Sequence, residues 1–133
     1  MPRVSAAFFS VGALLLLGGM ILGEYMGAHE DFTLAPVHAH INLLGWVTLA
    51  LYGTFYTLTK DTYSPRLAWT NFILSSVGAI TMIPVLALLL TTPNGGAVYG
   101  PWAGLTGGIA LLGLLVFLVS VFRELLRRRP AIA

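Results

Sequence analysis

His38-Ala39-His40 is the part of this chain best equipped for chemistry. The two imidazoles stand at the start of a long apolar run. An ionisable side chain inside a membrane segment is expensive and by default marks a functional site. On an α-helix, residues i and i+2 point about 200° apart, so one helix can offer a ligand to each of two neighbours. The pattern predicts a redox or gas-binding cofactor held between helices, with heme the first choice. A single small ion suits it less, because helical zinc pairs use i, i+4 spacing. If the first turn frays, His29 in the preceding loop could join His38 and His40 around copper or zinc. A third reading is a cofactor-free accessory subunit with interfacial histidines.

Around the pair, Asn42, Gly45, Leu49, Tyr52 and Tyr56 fall within about 40° of His38 at 100° per residue. His40 points the other way with Val47, Leu51, Thr54 and Leu58. Asn42 can orient the His38 ring or bond across helices. Gly45, Trp46 and Tyr52 are further candidate cofactor-binding residues, and Trp46, Tyr52, Phe55 and Tyr56 could line a pocket. No catalytic residue stands out.

The elements that must position these groups are membrane helices. The 133 residues are 57% hydrophobic and 9% charged, whereas a soluble domain carries roughly 25% charged residues. No charge occurs from Leu67 to Phe122. The expected class is all-α integral membrane, one domain over residues 1–133. Four spans are expected, at 4–23, 37–58, 67–90 and 101–122, each near the 20 residues that cross a bilayer. The first exceeds a signal-peptide core and lacks a clean cleavage site. Pro36 and Pro101 are read as helix starts. Pro84 lies inside the third span, where it should kink the helix. Asn94-Gly95-Gly96 marks a turn.

Charge sets the expected orientation. Arg3, Lys60, Arg66, Arg123, Arg127, Arg128 and Arg129 fall on one side of this arrangement, with Glu24, Glu30 and Asp31 on the other. The positive-inside rule places both termini in the cytoplasm and the histidines near the outer face of a bacterial inner membrane. The pI of 9.3 is thereby a matter of topology and lipid contact, with no nucleic-acid partner implied. No cysteine is present, which excludes disulfides and thiolate chemistry. Gly19, Gly23 and Gly27, and again Gly100, Gly104 and Gly108, recur every four residues and predict close helix contacts.

The stretch Val37-His38-Ala39-His40-Ile41-Asn42-Leu43-Leu44-Gly45-Trp46, running on to Gly53-Thr54-Phe55-Tyr56, resembles the tenth helix of subunit I of the heme-copper oxidase superfamily. It is closest to the branch that also resembles nitric oxide reductases. The resemblance implies heme b as cofactor, with His38 matching the axial ligand of the active-site heme and His40 the ligand of the low-spin heme. It further implies that this chain corresponds to one four-helix arc of a twelve-helix subunit, so that a homotrimer would rebuild the whole. Electron transfer, or binding of oxygen or nitric oxide, is the implied activity, with an electron donor as partner. The third and fourth spans contain no histidine, so the family's copper centre has no ligands here and enzymatic turnover is left open.

Overall fold

The computed structural model describes residues 1–127 and folds them into four long helices, with no strand among the described residues. They are α1 (Arg3–His29), α2 (Ala35–Leu58), α3 (Pro65–Thr91) and α4 (Gly95–Leu125). All four are long and apolar enough to cross a membrane, with 27, 24, 27 and 31 residues against the 20 or so required. Each expected span lies inside its helix. The helices run several residues further, because the connecting segments supply good terminators.

α1 ends where Glu30 turns left-handed at φ 51°, and the N–H of Asp31 reaches back to the Met26 carbonyl at 3.2 Å. That closes the last turn in the manner of a Schellman cap. α2 begins with Pro36 in its first turn, where a missing N–H costs nothing. α4 starts at Gly95, after Asn94 adopts φ 55°, a conformation asparagine tolerates better than most residues. The expected helix start at Pro101 is therefore corrected: Pro101 lies inside α4, and the last loop shrinks to Thr92–Asn94. The ring removes one bond, to the carbonyl of Ala97, an exposed residue near the helix start. Pro84 lies within α3, which runs on past it.

The helices form two hairpins, α1–α2 and α3–α4. One end of the bundle is closed by a cluster drawn from all four helices. Phe8 of α1 stacks on Tyr56 of α2 at 5.9 Å and meets Phe72 of α3 edge-on at 5.1 Å. Tyr52 of α2 lies 4.2 Å from Phe117 of α4. Aromatic pairs at such separations add about 0.5–1.5 kcal/mol each beyond their burial. Val4, Leu49 and Ala68 complete this core.

Small residues set how closely the helices approach. A Cβ on Gly78 would lie 2.6 Å from the backbone nitrogen of Ala110, so α3 and α4 touch backbone to backbone. Gly19 and Gly23 face α2 as expected, against Asn42 and His38. A Cβ on Gly27, Gly100, Gly104 or Gly108 would meet nothing within 4 Å among the described residues, so the second glycine run does not mark a close helix approach there.

Candidate functional site

α2 is not a uniform α-helix. Residues Ile41–Val47 form a π-helical segment directly after His40. Thr48 fixes its end, directing both its backbone N–H and its hydroxyl, at 2.9 Å, to the carbonyl of Leu43 five residues back. A side-chain donor that reinforces the wide turn is a local reason for the segment to form here. π segments are rare and are found frequently at functional sites.

The wide turn changes which residues share a face. On an unbroken α-helix, the step from His40 to Tyr52 leaves them about 120° apart. A π turn uses more residues than an α turn, and seven such residues fall short of α-helical rotation by roughly 120°. The two deviations cancel. His40, Leu44, Thr48 and Tyr52 accordingly line one groove, together with Ala39 and Leu43. Regular helical geometry had set Tyr52 with His38, on the side away from His40.

The groove has a volume of about 570 Å³. Its other walls are Ser75 and Met82 of α3, and Gly107, Ala110, Leu111 and Leu114 of α4. The lining is almost wholly apolar. Small-molecule and cofactor sites typically occupy about 300–1,000 Å³ and carry few polar groups.

Those polar groups are not equivalent. Thr48 is committed to Leu43, and the Ser75 hydroxyl donates to Asn71 Oδ1 at 2.8 Å. His40 Nδ1 donates to the Pro36 carbonyl at 2.7 Å. That bond puts the ring proton on Nδ1 and leaves Nε2 as a bare acceptor, without a partner among the described residues. Metal-ligating histidines are commonly held in this way, by an N–H to a carbonyl that fixes tautomer and ring orientation. The Tyr52 hydroxyl makes no hydrogen bond among the described residues.

His38 is placed differently. Its Nδ1 donates to the Gly19 carbonyl of α1 at 2.8 Å, and its Nε2 accepts from Asn42 Nδ2 at 3.0 Å. Both ring nitrogens are engaged. Gly19 and Gly23 leave the room for this, since a Cβ on Gly23 would come within 2.9 Å of the imidazole. Asn42 Oδ1 is buried without a donor among the described residues. Gly45 abuts Leu15 of α1, and Trp46 packs against Gly12 of α1. Thus, of the six candidate cofactor residues, His40 and Tyr52 reach the groove, while His38, Asn42, Gly45 and Trp46 form the α1–α2 seam.

His29 stands apart from both. Its Nδ1 donates to the Tyr25 carbonyl at 2.9 Å and its ring lies against Tyr25. Among the described residues no three of His, Cys, Asp and Glu converge on a point where a metal ion would fit, so His29, His38 and His40 do not form a three-ligand set.

Beneath the groove a buried polar chain links three helices. Ser75 donates to Asn71, Asn71 Nδ2 donates to the Tyr56 hydroxyl at 3.2 Å, and Tyr56 pairs with Ser120 at 3.1 Å. Sequence reasoning missed Asn71, Ser75 and the α4 wall. The signal available for the groove was the four-residue run 40-44-48-52, which reads as one face only with a π turn in place. Comparison of the chain with family models, with curated proteins and with solved structures returns no match.

Proposed function

We propose that this chain is a membrane protein that binds heme b in the groove between α2 and the α3–α4 hairpin, with His40 Nε2 as the iron ligand. The observation that carries this reading is the His40 imidazole, oriented by Pro36 and open at Nε2, on the wall of an apolar groove of about 570 Å³. Leu43, Leu44, Leu111 and Leu114 supply apolar contact for a macrocycle. Bound heme would supply one-electron chemistry and a coordination site for a diatomic gas.

The assignment departs in one respect from what the likeness to heme-copper oxidases implies. His38 is proposed as a positioning residue that ties α2 to α1, because both its ring nitrogens are spent within the chain. His40 would be the one histidine the groove supplies to the group, and any further ligand would come from outside it. A gas molecule would make the protein an oxygen or nitric oxide binder; a second copy's histidine would favour electron transfer.

The remaining proposals concern assembly and setting. Five described basic residues, Arg3, Lys60, Arg66, Arg123 and Arg127, lie at the end where the aromatic cluster closes the bundle. That distribution supports a cytoplasmic location for both termini, with the histidines toward the outer face of a bacterial inner membrane. Arg128 and Arg129 lie outside the described residues. A homotrimer is proposed on symmetry, since closed cyclic assemblies are the norm. The open face of Gly100, Gly104 and Gly108 on α4 is the surface offered for it.

The test is a pyridine hemochrome assay on protein purified from heme-sufficient cells. A b-type spectrum near one heme per chain, lost in His40→Ala, is expected. Colourless protein from such cells would overturn the reading.

A further inference from the structure

A second cavity, of about 650 Å³, lies at the opposite end of α4 from the open glycines. Val119, Phe122, Arg123 and Glu124 line it from α4, Leu126 and Arg127 from just beyond the end of that helix, and Thr62 from the loop between α2 and α3. Val119, Phe122 and Arg123 follow i, i+3, i+4 spacing, so they share one face of α4. Along that face the character changes in order. Val119 and Phe122, each about half exposed at 49%, are apolar and belong to the last membrane-spanning turns. Arg123, in the last turn of α4, and Arg127, just beyond its end, are cationic and exposed.

The charges do not cancel locally. Arg123 forms no ion pair among the described residues, and Arg127 meets Glu124 only at 3.8 Å. The lining carries two guanidinium groups and one carboxylate, a surplus of one positive charge. Arginine presents a planar fork of donors that matches phosphate oxygens in pairs.

From this arrangement we infer that the cavity is a seat for one anionic phospholipid. The phosphodiester sits between Arg123 and Arg127, and an acyl chain runs along Val119 and Phe122; the Thr62 hydroxyl is already given to the Thr59 carbonyl at 3.2 Å, so Thr62 supplies only contact. A single phosphodiester cancels the surplus charge. A zwitterionic headgroup would bring an ammonium into a cavity that is already cationic. Bound there, the lipid bridges the α2–α3 loop to the end of α4, and so joins the two hairpins next to Ser120, where the buried polar chain ends.

The experiment is thermal unfolding of the whole purified chain in detergent, titrated with phosphatidylglycerol or with phosphatidylcholine. Phosphatidylglycerol is expected to raise the midpoint at concentrations where phosphatidylcholine does not. Each juxtamembrane arginine is worth about fivefold in affinity for an anionic lipid, so Arg123→Gln with Arg127→Gln should weaken the effect by more than tenfold. Lys60→Gln with Arg66→Gln should leave it intact. Val119→Trp keeps both charges and blocks the chain's seat, so it should also weaken the effect. Equal response to the two lipids, retention of the response in both the arginine and the Val119 variants, or equal protection by inorganic phosphate alone would overturn the assignment.

Discussion

The Nδ1 of His38 donates to the main-chain carbonyl of Gly19, 2.8 Å away on the neighbouring helix. Nineteen residues separate the two in sequence, and the bond crosses the α1–α2 seam where Gly19 and Gly23 of α1 leave space for the ring. It turns one histidine of the pair into a tie and leaves the other to the groove.

The two histidines should therefore fail in different ways. His40→Ala should remove the heme absorbance and leave the apoprotein's stability within about 0.5 kcal/mol of the parent, as exposed substitutions usually do. His38→Ala removes a partner from Asn42 as well as the interhelical bond, and should cost about 1–3 kcal/mol. Absorption spectra and thermal melts on both variants separate the roles. Loss of heme in His38→Ala without loss of stability would return His38 to the ligand set.

The glycine pattern makes an ordered prediction. Gly23→Ala should push against the His38 ring, and Gly19→Ala against Asn42, whereas Gly27→Ala meets open space. Overpacking typically costs about 1–3 kcal/mol. The first two should lower the melting point and the third should be near neutral or stabilising. A large loss at Gly27 would point to a contact with another molecule.

Tyr56→Phe tests the buried chain. The substitution keeps the ring stacked on Phe8 and strands Asn71 Nδ2 without its acceptor. A buried donor left unpaired costs about 1–3 kcal/mol. Thermal melts should show that loss with no change in heme content.

Between α1 and α2, Asp31 accepts first from the Thr33 hydroxyl at 2.6 Å and also from the Thr33 N–H at 3.0 Å. These bonds, with a smaller contribution from His29, hold its carboxyl below the ordinary aspartate range. The shift is downward, so the turn's contribution is present above the unfolded carboxyl's pKa and is lost as pH falls through the depressed value. A carboxyl-carbon titration by NMR should show the low midpoint, and Thr33→Val should raise it.

Much of this was legible in the sequence because hydropathy alone marks four segments that must be helical. The two faces of α2 were legible as groupings but their burial was not: Gly45, Leu49, Tyr52 and Tyr56, grouped with His38, are all buried, while the more apolar set Val47, Leu51, Thr54 and Leu58 is exposed. Pro101 misled because a proline near a turn signal reads as a start, yet the stronger signal was Asn94 with Gly95 behind it. The groove was not legible. Its alignment depends on a π turn, reinforced by a single threonine side chain that also fits an ordinary helix. Nor could spacing show that His38 would spend both nitrogens, since the Gly19 carbonyl comes from another helix.

One consequence concerns the chain's tolerance of change. An extra residue accommodated as a bulge lets the upper half of α2 be rephased against its lower half. The aromatic plug below can thus stay fixed while the wall above is re-aimed by a one-residue insertion or deletion. Length variants within 41–47 should alter what the crevice accepts long before they unfold the bundle.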